Sequence, residues 1–251
     1  MRPMTQLETA AAGAMAPDII AMSGVHFTWP GPRGFSLAIK DFAMAAGERL
    51  LLVGPSGNGK STFLSLLTGI IAPSSGTLEV LGTDIANLSN SARDRFRAEH
   101  IGIIFQMFNL LPYGSVTDNV VLPLSFAASR KARALLTGSV EGEARRLLAS
   151  LGLETTDFDG EAASSLSVGQ QQRVAAARAL VGRPEVIVAD EPTSALDRDR
   201  QQAFLDLLFA EVKIAGATLI MVSHDDGLGM RFDRVLRLDE VAVTHRSRSA
   251  S

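Results

Sequence analysis

The chain has 251 residues, a formal net charge of -3, 46% hydrophobic and 20% charged residues, and no cysteine. That length buries a sizeable core as one α/β domain with or without a sub-lobe, and the slightly acidic balance argues against the basic stripe of a nucleic-acid binder. The missing thiols exclude a disulfide scaffold, cysteine-zinc sites and thiol catalysis, and agree with a reducing compartment.

Residues 1–17 carry one Arg and then Gln6 and Glu8 where a secretory leader needs its apolar centre, so the stretch reads as a disordered, Ala-rich extension. "IIAMSGVHFTWP" and "FSLAIKDFAMAAGE" read as an antiparallel pair or meander, broken by Gly31, Pro32 and Gly34. Short apolar strands then alternate with helical stretches. The strands fall at 49–53, 101–105, 185–189, 217–222 and 234–238, the pattern of a largely parallel sheet covered by helices. From about 107 to 166 the Ala- and Leu-rich pieces "ASRKARALL" and "EGEARRLLASLGL" predict a helical insert between two core strands. Residues 241–251, ending in the basic and Ser-rich "THRSRSAS", read as a solvated tail. No apolar run approaches the roughly 18 to 20 residues that span a bilayer.

Behind the strand 49–53 comes "GPSGNGKST", residues Gly54, Pro55, Ser56, Gly57, Asn58, Gly59, Lys60, Ser61 and Thr62. It satisfies the phosphate-loop spacing G-x-x-x-x-G-K-[ST], in which backbone N–H groups curl around phosphate oxygens. Lys60 supplies a point charge for the terminal phosphates and the Ser61 hydroxyl is a ligand for Mg²⁺. A helix after the loop aims its N-terminus at the same anion.

Farther on, "EVIVADEP" is a buried strand ending in two carboxylates. Adjacent residues on a strand point to opposite sides. Asp190 is therefore assigned to Mg²⁺, and Glu191 to the attacking water, as general base or orienting group. Gln106 ends "IGIIFQ", where an amide reaches Mg²⁺ or the water, and His224 ends "LIMVSH", where a ring nitrogen reaches a γ-phosphate. Both lie at carboxyl ends of parallel strands, where ligands collect. His26, His100 and His245 show no metal-ligand spacing. In "SLSVGQQQRV" the apolar positions Val174, Ala177, Leu180 and Val181 recur at helical spacing, so Ser167 and Gly169 mark a helix start that suits an anion.

The phosphate loop, Gln106, "LSVGQ", "VIVADEP", "SALD" and His224, in that order, resemble the nucleotide-binding subunits of ABC transporters over residues from about 18 to 238, within an implied ATPase domain of 18–240. The resemblance implies a P-loop NTPase (RecA-like) core with an antiparallel β subdomain and an α-helical subdomain, binding ATP with Mg²⁺. It further implies a head-to-tail pair in which Ser167, Gly169 and Gln170 of one copy meet the γ-phosphate held by the other copy, with Asp197 at the seam. Trp29 stands where the family places an aromatic that stacks on adenine; the alternative is a Trp packed on the core. Val168 replaces the usual Gly, where a side chain crowds the turn or narrows its backbone freedom, but Ser167 and Gly169, the phosphate-facing members, are retained, so function is expected to survive. "IGIIFQMFNLLPYGSVTDNVVLPL" and "LSVGQQQRVAAARAL" are similar to the LolD/MacB branch, in which residues 108–113 lie near the membrane partner. The implied protein is an ATPase on the cytoplasmic face of the membrane, attached through a separate permease and serving cell-envelope export, with no nucleic acid as partner. A regulatory module gating an envelope hydrolase or sensor is the competing reading.

Overall fold

A computed structural model describes residues 18–31, 34–154 and 161–246, so the expectation for 1–17 lies outside the described residues. The expected antiparallel pair is β1 (Asp18–Thr28) and β2 (Phe35–Ala45). β4 (Ser75–Val80) pairs with the other side of β1, and the short β5 (Thr83–Asp84) follows it. The other edge departs from expectation. Residues 242–246, assigned above to a solvated tail, form β10 (Ala242–Arg246) against β2, giving the order β10-β2-β1-β4-β5. The free backbone groups of the β2 edge supply the pairing that composition could not announce. A four-residue helix, α8 (Leu238–Val241), turns the chain into that edge while burying Leu238.

The second sheet is parallel, in the order β6-β7-β8-β3-β9. Its strands are β3 (Arg49–Val53), β6 (Ile101–Ile104), β7 (Val186–Asp190), β8 (Thr218–Ser223) and β9 (Arg234–Arg237). All five lie within a residue of their expected positions. Alternation divides them between two cores. Leu50, Leu52, Val186, Val188, Ile220 and Val222 pack with Phe63, Leu66 and Leu67 of α1 (Lys60–Leu67) under the antiparallel sheet. Leu51, Val53, Ile187, Ala189, Leu219 and Met221 belong to the opposite core, with α6 (Val168–Leu180) and α7 (Arg198–Ala215). Each such buried side chain contributes about 1.5–3 kcal/mol, so a strand buried on both faces resists displacement of its end.

Residues 107–166 hold α3 (Val116–Val121), α4 (Ala128–Leu135) and α5 (Val140–Ser150). Two arginines tie this lobe to the core. Arg130, 2% exposed, donates to the carbonyls of Val181 (2.6 Å) and Ala179 (3.0 Å) beyond and within α6. At the end of α2 (Asn90–His100) the Glu99 carboxylate accepts from the Ala128 N–H at 2.7 Å, which fixes where α4 begins. Arg146 of α5 bridges its own helix and α7, with its guanidinium 2.9 Å from buried Glu143 and 3.1 Å from buried Glu211. Those two carboxylates hold the Arg146 pKa above its ordinary value.

Helix α6 crosses β6 so closely that a Cβ on Gly102 would stand 2.1 Å from the Ala179 carbonyl oxygen, a backbone atom with nowhere to move. Gly102→Ala should therefore cost about 1–3 kcal/mol of stability. A denaturant melt at the parent midpoint would contradict this packing.

Candidate functional site

The carboxyl ends of β3, β6, β7 and β8 open on one side of the parallel sheet, and the sequence-predicted residues gather there. After Val53 the chain forms the phosphate loop and enters α1 through Gly59, whose φ of 96° is left-handed and accessible at low cost only to glycine. A side chain there would also meet the Phe35 ring, 2.6 Å from an added Cβ. No side chain caps α1 and no acidic residue lies in its first turn, so the helix start keeps its positive character. Lys60, a buried residue, donates through its ammonium to the carbonyls of Gly54 (2.6 Å) and Pro55 (3.0 Å). Burial lowers its pKa, opposed by the charges of Glu191 and Asp190.

Asp190 is the last residue of β7, and its Oδ2 accepts from the Ser61 hydroxyl at 3.3 Å. Burial, and then the Glu191 charge, raise its pKa above its ordinary value. The assumption that Glu191 continues the strand does not hold. β7 stops at Asp190 and Glu191 takes a left-handed φ of 47°, so strand alternation no longer decides which way its carboxylate points. Both carboxylates stand beside the loop. The Glu191 carboxylate lies in close contact with His224 Nε2 and accepts from Gln106 Nε2 at 3.4 Å. His224 lies one residue past β8, with Nδ1 3.2 Å from the Gly54 carbonyl. Gln106 lies two residues past the end of β6, and the turn after it is held by Arg178 of α6, which donates to the Phe108 and Asn109 carbonyls.

Trp29 is 44% exposed, so it is not a buried core residue. Its ring meets Phe27 edge-on at 5.0 Å, and its Nε1–H donates to Thr62 Oγ1 at 3.2 Å in the first turn of α1. Ser167 caps α6: its N–H donates to Gln170 Oε1 at 2.8 Å, while its hydroxyl accepts from the Gln170 N–H at 3.4 Å. Val168 occupies the first helical position without a positive φ and with its side chain half exposed, so it does not strain the turn. Around Gly169 nothing lies within 4 Å of an added Cβ. Asp197 caps α7, accepting from the Arg200 N–H at 2.9 Å.

Two buried glutamines escape the sequence reading. Gln172 of α6, 1% exposed, donates to the Pro192 carbonyl at 2.7 Å, and Gln201 of α7 donates to Thr193 Oγ1 at 3.0 Å. The only available signal is that Gln172 falls on the core-facing side of a helix whose other glutamines precede it.

A family model described as "ABC transporter" matches residues 37–194. A lipoprotein-releasing system ATP-binding protein LolD 1 of Caulobacter vibrioides is 41% identical over 209 residues, 83% of this chain and 86% of the relative. Over 239 residues, 94% of this chain, the identity to a macrolide export ATP-binding/permease protein MacB of Rhodopseudomonas palustris is 38%; the match spans 35% of that longer protein. The dimeric post-hydrolysis structure of the ATP-binding cassette MJ0796 bound to ADP and Pi superposes with a TM-score of 0.76 at 31% identity, covering 91% of this chain and 99% of that one. With the phosphate loop, the strand-end carboxylates and the helix start capped by Ser167 all in place, the chain belongs to the ABC transporter family as an ATP-hydrolysing cassette of the LolD/MacB type.

Proposed function

We propose that two copies close head to tail on ATP and drive a separate membrane permease in cell-envelope export of a lipoprotein, lipid or drug, from the cytoplasmic face. The observation that carries the chemistry is the convergence of Lys60, Ser61, Asp190, Glu191, Gln106 and His224 at the ends of four parallel strands. Export, permease and cargo rest on similarity to relatives named for lipoprotein release and macrolide export. Among the described residues no helix is long and apolar enough to cross a membrane, which fits a cassette that reaches the bilayer through a partner.

In this reading the triphosphate replaces the Gly54 and Pro55 carbonyls as the partner of Lys60, and the N–H groups of the loop and of the start of α1 take the phosphate oxygens. Trp29, beside Thr62, offers its exposed face to the adenine. Mg²⁺ suits the hard oxygens of Ser61 and Asp190, which lie 3.3 Å apart, and when bound it would offset negative charge on the phosphates. Glu191 accepts the proton of the attacking water, or orients it, while Gln106 and His224 hold the carboxylate toward the loop.

Gly169 supports the paired arrangement. A helical glycine is less favourable than alanine by about 1 kcal/mol, yet nothing in its own chain would obstruct a side chain at that position. The requirement for bare backbone comes from outside, and the γ-phosphate held by a second copy supplies it beside the capped Ser167. Asp197, exposed at the start of α7, then lies at the seam.

Glu191→Gln should keep ATP binding, lose about 10² to 10⁴ in turnover and accumulate as an ATP-bound pair in sedimentation velocity. Turnover at the parent rate would remove Glu191 from the chemistry. Lys60→Ala should weaken ATP binding by about tenfold or more, since a charge-assisted contact to phosphate is lost; calorimetry showing unchanged affinity would contradict the loop assignment.

A further inference from the structure

The turn that carries Glu191 is gripped from two helices. Pro192, the next residue, receives the Gln172 amide on its carbonyl at 2.7 Å, and Thr193 receives the Gln201 amide on its hydroxyl at 3.0 Å. Gln172, Thr193 and Gln201 are all buried, and both bonds lie inside the core. The turn is also tied to β8, because the Glu191 N–H donates to the Val222 carbonyl at 3.1 Å, and it closes on itself through the Ser194 N–H to the Glu191 carbonyl at 3.2 Å.

Such a grip has a physical purpose. A non-glycine residue at φ 47° sits in a sparsely populated region and stays there only when its surroundings hold it. Released, the Glu191 peptide would relax toward the right-handed or extended region and swing the carboxylate away from Gln106 and His224. The gripping side chains are also notably placed. Gln172 is five residues beyond Ser167, the cap of α6, and Gln201 is four beyond Asp197, the cap of α7. A helix transmits displacement along its axis as a rigid rod, so a shift of either cap reaches the Glu191 turn through a single buried amide.

We propose that Gln172 and Gln201 are positioning residues for hydrolysis: they hold Glu191 in its left-handed, water-facing conformation and couple that conformation to the two helix ends that face the second copy. The proposal rests on the reading of Glu191 as the residue that acts on water and on the head-to-tail pairing proposed above. It assigns the glutamines no contact with nucleotide.

The test uses the full chain with Gln172→Met and Gln201→Met, substitutions that keep volume and apolar fit while removing the amide donor. Each variant should stay folded but melt a few degrees below the parent, because a buried acceptor loses its donor, bind ATP with affinity unchanged within about twofold and still pair on ATP, while kcat falls about 10- to 100-fold, as a reacting group misplaced by about an ångström can cost. KM for ATP should stay constant. In the Glu191→Gln background, measured by single turnover, the same substitutions should change the residual rate by less than about twofold, because there is no carboxylate left to position. If Gln172→Met does not fold, Gln201→Met, acting from the other helix, carries the same expectation. Parent kcat in the Met variants, or an equal fractional loss in the Glu191→Gln background, overturns the positioning role while leaving the role of Glu191 intact. Parent turnover in Glu191→Gln alone overturns the Glu191 assignment, and this proposal with it.

Discussion

At Glu191 the backbone stands in the left-handed region, φ 47°, where a side chain costs about 1 to 3 kcal/mol unless the surroundings impose it. That cost is accepted at the end of β7, a strand whose Val186, Ile187, Val188 and Ala189 are all buried. Because those residues feed both cores, the end of the strand cannot drift. The turn therefore aims a carboxylate at a fixed point above the phosphate loop, with His224 and Gln106 converging on it from the ends of β8 and β6. Burial, and then the neighbouring Glu191 charge, disfavour the ionised form of Asp190, which a bound cation would stabilise.

The rest of the architecture keeps α6 and α7 in register with that point. Gly102 lets α6 lie against β6 at backbone distance, Arg178 holds the turn behind Gln106, and Gln172 reaches the residue after Glu191. Helix α7 is joined to the helical lobe by Arg146, whose guanidinium pairs with both buried Glu143 and buried Glu211, and to the Glu191 turn by Gln201. Removing the arginine from such a cluster would leave charge buried without a partner, so Arg146 holds the lobe against α7. The helix that opens with Ser167 is thus mechanically continuous with the residue proposed to activate water.

Much of this was legible in the sequence, for identifiable reasons. Buried parallel strands write themselves as unbroken apolar runs, so "RLLLV", "EVIVAD" and "TLIMVS" placed three strand ends, and the phosphate loop follows from glycine spacing alone. The family resemblance added the order of elements and the role of the serine-glycine turn. What stayed hidden depends on tertiary contact. β10 is held by pairing to the β2 edge, which no local pattern encodes. The left-handed turn at Glu191 defeats strand alternation because non-glycine residues rarely adopt it, and the grip of Gln172 is invisible in a run of three glutamines until burial singles one out. Val168, expected to narrow the signature turn, fits an ordinary first helical position with its side chain outward.

In the proposed pair, the α6 start of one copy, at Ser167 to Gly169, completes the triphosphate site of the other. The natural absence of cysteine makes a direct measurement possible. Two Glu191→Gln chains distinguishable by size, one carrying Ser56→Cys in the loop and the other Val168→Cys at the start of α6, are mixed and treated with a short bifunctional thiol reagent. Saturating Mg-ATP should join the two polypeptides, and omission of nucleotide should leave them separate. Failure to join with ATP present, or joining only within one polypeptide when both cysteines share a chain, would contradict the shared site.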